Sequence, residues 1–421
     1  MTPMDTAAVE RAAAHEPEWR AAARRDALGR FEGRSLPSSR DDLWRYVDLD
    51  FDLADYELVD EPGQMPDASD VLGSKHSVVV VDGLAVAASP PTTGLTVGSL
   101  ATAVADGHPG LDTVLARSIA ADADVFAAAH TAFGGDGALV QVAPGINPDP
   151  VLVRLHTATA GSISYPTVLI IAEENALASV VIDATSTEID AVTVPAVEIV
   201  AHPGATVRLS MIQHLGRRMR QIGTLRAVVD RDATLVMAEA GIGGSLARLH
   251  LTIDLEGRGS SANVVGAYFG DENQVLDYRY FMHHAGLDTS SDMFLKGAVE
   301  DQALSVFTGL IRIDEGAQRT NAFQTNRNLI LSDGAAAQSV PNLEILANDV
   351  KCGHGSSVGP LDEEQRYYLM SRGLDPAQAD RLQVRGFFEQ ALSRFPHPEV
   401  TESLRGWMNA KYVTAQQEGR V

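Results

Sequence analysis

The chain has 421 residues, 45% hydrophobic and 21% charged, a composition that supports a packed core and excludes an intrinsically disordered chain. Asp and Glu outnumber Lys and Arg by 56 to 33, so the clustered positive charge that holds a nucleic-acid backbone is missing and nucleic acid is excluded as a partner. There is a single cysteine, Cys352, which rules out an internal disulfide; because a cluster takes about four protein ligands, mostly thiolates, it also rules out an iron–sulfur cluster held by this chain alone.

Met1-Thr2-Pro3-Met4-Asp5 runs directly into charged, Ala-rich sequence rather than the basic start and apolar stretch of a secretory signal. No apolar run reaches the roughly 18 residues that cross a bilayer, so no membrane partner is expected. With the lone thiol, these features predict a cytoplasmic protein. Residues 5–60 read as helical, and Trp19, Trp44 and Tyr46 read as packing residues. Glu61-Pro62-Gly63-Gln64-Met65-Pro66 reads as a linker, which sets a first segment at 1–72.

From His76 the sequence changes to short apolar runs, each ended by Gly, Asp or Asn. Ser77–Val81, Val151–Leu155, Thr167–Ile171, Ser179–Ile182 and Leu249–Ile253 predict strands of four to six residues. Helical periodicity is confined to about 97–132, so repeated βαβ crossovers do not fit. Ile311 to Ala317 is echoed eighteen residues later by Leu329 to Ala335. Loose repeats of short strands and turns predict a solenoid whose coils are stabilised by stacking, a parallel β-helix over 73–355 with helices only at the ends of the chain. The rival, a β-sandwich, would show cleaner polar alternation than Val78 to Val81 does. The exposed ends of a solenoid invite pairing with another chain, either a different partner or a second copy in a homodimer.

After Gly359 the pattern turns helical, giving a C-terminal segment at 356–421. Asp362 and Asp375-Pro376 read as helix starts and Gly373 as a stop. Val384, Phe388, Ala391, Leu392 and Phe395 form one stripe, which suits packing on the chain's own domain or on a partner, and a last helix is expected near 399–417.

Candidate chemistry gathers at Asp349-Val350-Lys351-Cys352-Gly353-His354-Gly355. In an extended strand Cys352 and His354 share a face, which makes half of a soft-metal site. Val350 has the same parity, however, and a free cysteine is commonly buried, so the pair also reads as the inner face of a packed strand. None of the four lysines follows a glycine, so no phosphate-cradling Gly-Lys loop binds nucleotide, and no catalytic constellation stands out. His130, His214, His283 and His284 stand outside metal-ligand spacings and read as structural or surface residues.

Gln318-Arg319-Thr320, Gln324-Thr325-Asn326-Arg327-Asn328, Pro341-Asn342-Leu343-Glu344, Asp349 to Gly355 and Tyr367-Tyr368-Leu369-Met370-Ser371-Arg372-Gly373 together closely resemble the SufD family, a component of the SufBCD iron–sulfur cluster assembly scaffold. Upstream, Lys296-Gly297 and Val306-Phe307-Thr308-Gly309 extend the likeness, while Gly353 stands where the family often has serine. The resemblance implies a right-handed parallel β-helix flanked by N- and C-terminal helices, and a non-catalytic scaffold subunit. It also implies a SufB-like partner contributing thiolates across a β-helix interface, a SufC-like ATPase docked on the C-terminal helices, and His354 and Cys352 as ligands of a transient shared cluster. The alternative reading is a β-helix carbohydrate-active enzyme with carboxylates along one face.

Overall fold

The apolar runs become rungs of a two-sheet parallel β-solenoid, seen in a computed structural model that describes residues 1–65, 72–117 and 123–417. Eight parallel rungs of the first sheet run from Gly137–Val142 to Ala336–Ile345 and eight of the second from Val151–Thr157 to Lys351–Gly359, with His76–Val81 lying parallel beside Val151–Thr157 as a ninth strand at the N-terminal end. Ladder partners lie 26 to 32 positions apart, as in Arg220 beside Leu246 and Leu304 beside Ala336. The eighteen-residue echo is therefore half a coil: Ile311–Ala317 and Leu329–Ala335 close consecutive strands, Leu304–Ile313 and Asn321–Ile330, in opposite sheets.

Side-chain alternation builds the interior. Along Leu246–Leu255, Ala247, Leu249, Leu251, Ile253 and Leu255 point into the main core, where each large aliphatic side chain contributes about 1.5–3 kcal/mol. The outer faces are covered as well, which is why polar alternation is weak. In Thr167–Ala172, Val168 and Ile170 face the interior, while Leu169 and Ile171 pack with residues of the helices Leu100–Ala105 and Leu111–Arg117. Between strands, Asn175, Asp232, Asp288 and Asp301 adopt left-handed φ of 56 to 59°, a conformation that Asn and Asp tolerate better than most residues.

Three expectations need correction. Helices are not confined to the ends: Leu100–Ala105, Leu111–Arg117 and Val125–Phe133 interrupt the strand region and cover the outer face of the first sheet. Many rungs have eight to eleven residues rather than four to six, because polar residues such as Arg248 and Asp277 stay within the ladder where one face is shielded. The stretch 5–60 is helical only over Thr6–Ala13 and Glu18–Glu32, followed by extended chain with single 3-10 turns at Asp42–Trp44 and Leu53–Asp55. Of the three aromatics read as packing residues only Trp44 is buried; Trp19 and Tyr46 remain exposed, and Tyr56 is the other buried aromatic of the stretch. This segment is fastened to the solenoid by Glu57–Leu58, which pairs with Ser162–Ser164, and by an apolar cluster joining Val9, Leu28 and Trp44 to Phe126, Val192 and Ile222.

The two ends of the solenoid differ. At the N-terminal end short antiparallel strands close it, Leu84–Ala88 on His76–Val81 and Leu95–Ser99 on Gly137–Val142. At the C-terminal end Ala336–Ile345 and Lys351–Gly359 are followed by no further rung among the described residues. Three helices then follow, Glu363–Ser371, Pro376–Leu392 and Pro398–Gln417. Asp362 caps the first, and Asp375 with Gln378 forms a capping box on the second, with Pro376 at its first turn. Val384, Phe388, Ala391, Leu392 and Phe395 all pack into a cluster with outward residues of the second sheet such as Leu152, Val181 and Phe269, so the stripe belongs to the chain's own core.

Candidate functional site

The last rung, Lys351–Gly359, sets the geometry of the Cys352/His354 pair. Its ladder places Cys352 beside Ala322, His354 beside Gln324, Ser356 beside Asn326 and Val358 beside Asn328. Those four neighbours are buried and lie on the inward face of Asn321–Ile330, so Cys352 and His354 share the inward face too, as the parity of Val350 allowed. The face is not sealed, because no coil follows. Cys352 is half-buried and packs against the main core, as do Val350 and Leu343, whereas His354 is exposed. Burial pushes the Cys352 thiol above its ordinary pKa. Lys351 and Gly353 fall on the outward face, where Gly353 lies against the ring of Phe323.

Toward this end the interior becomes polar. Asn326 donates to the Tyr268 hydroxyl at 3.0 Å, Tyr268 donates to Asn328 at 2.8 Å, and Asn328 donates to Asn326 at 2.7 Å. Gln324 donates to the Asn342 carbonyl at 2.9 Å, while its Oε1 is buried without a hydrogen-bond partner among the described residues. Ser356 reaches across to Ser339 of the other sheet at 2.8 Å. Gln324 and the two serines are neighbours of the pair that motif reading passes over. The signal that finds them is the coil period, since Gln324 lies thirty residues before His354.

Two donors do not complete a metal site. Among the described residues no group of three or more His, Cys, Asp or Glu side chains is placed to hold a metal ion. The surroundings are those of an unpaired edge: Phe323, Ile345, Leu346 and Val358 are large apolar side chains left exposed around the last rungs.

The four histidines set aside in the sequence, His130, His214, His283 and His284, have partners of their own. His283 bridges Asp254 at 3.1 Å and Asp314 at 2.9 Å; burial lowers its pKa, but these hydrogen bonds and charges outweigh it and hold the value above the ordinary one. His284 lies between Thr289 and Ser291, His130 reaches the Pro166 carbonyl, and His214 stacks on Trp407.

A second surface lies on the C-terminal helices. Tyr367 is 75% exposed and Tyr368 56%, with the Arg372 guanidinium 5.1 Å from the Tyr368 ring centre, and Met370 and Leu382 are large apolar side chains exposed on Glu363–Ser371 and Pro376–Leu392. Beside them, a groove of about 620 Å³ runs between Pro376–Leu392 and Pro398–Gln417, where Arg405 pairs with Glu389 at 2.6 Å.

The sequence profile described as SUF system FeS cluster assembly, SufBD core domain, matches residues 155–387. The chain is similar to an iron–sulfur cluster assembly SufBD family protein of Mycobacterium tuberculosis, 35% identical over 266 residues covering 61% of this chain and 66% of the relative. It is also similar to the iron–sulfur cluster assembly protein SufD of Escherichia coli, 33% identical over 174 residues, 41% of this chain and 39% of the relative. A chloroplastic protein of Arabidopsis thaliana, ABCI7, is 26% identical over 269 residues, 61% of this chain and 56% of the relative. The matched stretch thus spans between 39% and 66% of the length of these relatives. The match runs through most of the solenoid and into the helix Pro376–Leu392, and the chain belongs to the SufBD family of SUF-system iron–sulfur cluster assembly proteins.

Proposed function

We propose that this chain is a non-catalytic scaffold subunit of cytoplasmic iron–sulfur cluster assembly, and that a SufB-like partner joins it at the open C-terminal end of the solenoid. One observation carries this reading: Cys352 and His354 share the inward face of a last rung that no further coil covers. A thiol and an imidazole supply only part of the coordination of a nascent cluster, so the partner's thiolates complete it, with the cluster as cargo rather than resident cofactor. His354 is the better ligand of the two. It is exposed, whereas the Cys352 thiol is held protonated by burial until metal or a positive neighbour displaces its proton. The unpaired backbone edges and the exposed Phe323, Ile345, Leu346 and Val358 suit a partner solenoid. A second copy of the chain would use the same edges when the partner is missing.

The deciding experiment is anaerobic reconstitution with the SufB-like partner, measuring iron content and visible absorption for wild type, His354→Ala and Cys352→Ser. Reduced loading is expected, larger for His354→Ala; equal loading in all three would make the pair an ordinary strand end. For the SufC-like ATPase, the exposed Tyr367, Tyr368, Met370 and Leu382 form the docking face, because the buried stripe of Pro376–Leu392 is already occupied by the solenoid. Deleting everything after Gly373 would strip that core, so the cleaner test is Tyr367→Asp with Tyr368→Asp, expected to abolish co-purification with the ATPase. The family match does not favour a polysaccharide-cleaving enzyme.

A further inference from the structure

Three outward-facing residues of consecutive rungs in the second sheet stand in one column. Lys296 is the ladder neighbour of Arg327, and Arg327 is the ladder neighbour of Ser357. Neighbouring strands lie about 4.8 Å apart, so the column presents donors at regular spacing over about 10 Å. Above it, the helices Glu363–Ser371 and Pro376–Leu392 leave a cleft of about 520 Å³, with Gln365, Gln383 and Phe387 in its wall.

The charges in this cleft are not balanced. Lys296 is only 2% exposed, yet its ammonium donates to the neutral Gln390 at 2.8 Å and lies 4.0 Å from the centre of the Phe387 ring; among the described residues it has no carboxylate partner. Arg327 has no ion pair or side-chain hydrogen bond among the described residues. Arg394, which also bears on Lys296, is already matched by Asp292 at 3.5 Å. The carboxylate in the cleft wall, Asp362, is taken up in capping Glu363–Ser371, where it accepts from the backbone of Glu364 and Gln365 and from the Gln365 side chain. The Gln383 amide nitrogen is buried without a hydrogen-bond partner among the described residues and supplies one more unused donor.

Burying an ammonium without a carboxylate partner is unfavourable, and like charges side by side on neighbouring strands make it more so. A chain with 56 acidic residues has ample means to compensate two cations, and here it does not. The electrostatic consequence is visible on Lys296, whose pKa burial, then Arg327 and Arg394, push down to about 8. An anion bound in the cleft would balance these charges and engage the unused donors together.

We propose that the cleft over Lys296, Arg327 and Ser357 binds a small oxyanion, a phosphate- or carboxylate-bearing molecule, with the Arg327 fork gripping two of its oxygens, the Lys296 ammonium supplying the buried charge, the buried Gln383 amide donating beside it, and the Ser357 hydroxyl donating at the rim. The site lies on the outer face of the solenoid, across the sheet from Cys352 and His354, and it stands whether or not those two residues hold a cluster.

The test is calorimetric titration of the full chain near pH 7 with pyrophosphate and, separately, citrate. One saturable site is expected for at least one of them; tighter pyrophosphate identifies phosphate chemistry and tighter citrate carboxylate chemistry. Arg327→Gln, at an exposed position, and Lys296→Gln are each expected to weaken that binding at least tenfold. Arg312→Gln, the same charge change at a distant surface position, is expected to leave it within twofold. Absence of saturable binding for both anions, or wild-type affinity in Arg327→Gln, would overturn the proposal.

Discussion

The guanidinium of Arg248 lies 3.8 Å from the centre of the Trp44 ring, donates to the Leu43 carbonyl at 2.7 Å, and pairs with the buried Asp277. Arg279 shares Asp277 and donates to the Arg45 carbonyl at 2.6 Å. Two arginines of the solenoid therefore read the backbone on either side of Trp44 and hold Leu43-Trp44-Arg45 in place within a segment of little regular structure.

The first prediction follows from that clasp. Trp44→Ala removes a fully buried ring and is expected to cost about 3–5 kcal/mol, measured by urea unfolding. Arg248→Met leaves Asp277 with one cation in place of two and is expected to make residues 1–60 the first target of limited proteolysis. If both variants match wild type in stability and cleavage, the N-terminal segment is held by other contacts.

Buried neutral histidines set the acid limit. Burial lowers His130, His250, His284 and His397 to about 4 from an ordinary value of 6.5. His397, clasped between Ser179 at 2.9 Å and Ser210 at 2.7 Å, anchors the start of the last helix to the second sheet. Because each folded value lies below the unfolded one, the unfolded chain takes up protons first as pH falls. This part of the stability is complete above about 6.5 and is lost between there and about 4. The melting temperature is expected to drop by several degrees between pH 7 and pH 5, and His397→Gln is expected to shrink the drop; a flat profile would contradict the assignment.

Cys352 is expected to alkylate slowly. Its raised pKa and half-buried position predict a rate with iodoacetamide at pH 8 several-fold below that of a free model thiol. Binding of the SufB-like partner should slow the reaction further, whereas unchanged labelling in the complex would move the interface away from the last rung.

Gly353→Ser is expected to be nearly neutral, within about 0.5 kcal/mol, as is usual for surface substitutions. The new Cβ would lie 3.2 Å from the Phe323 ring, but that ring is 45% exposed and has room to turn. Because residue 353 faces outward, cluster loading in the complex should stay at the wild-type level. A loss of loading would mean that the outward face takes part.

Much of the architecture is legible in local sequence because a solenoid is built from short-range signals. Turn residues such as Asp288 and Asp301 recur, the run Thr167–Ile171 reads as a strand, and Asp362 and Asp375-Pro376 mark their helix starts unambiguously. What local sequence does not carry is which face of each strand lies under another element. Leu169 and Ile171 look like interior residues of the solenoid, but they pack with helices whose periodicity over about 97–132 is legible while the choice of strands they cover is not. The shared face of Cys352 and His354 follows from strand parity; its exposure depends on their rung being last, a long-range property. Lys296 and Arg327 are 31 residues apart and become neighbours only through the ladder, so nothing in their local motifs joins them.

The unequal ends of the solenoid also limit how assemblies can grow. A β-solenoid with two bare ends can stack without limit, as fibrils do, because every added unit presents a fresh edge. Here the N-terminal face is closed by two five-residue antiparallel strands with Pro90-Pro91 between them, and among the described residues the long unpaired edges, of ten and nine residues, lie on the C-terminal face. Joining two such bodies through their bare ends consumes both edges, so association by this route stops at a pair and cannot run on into a filament.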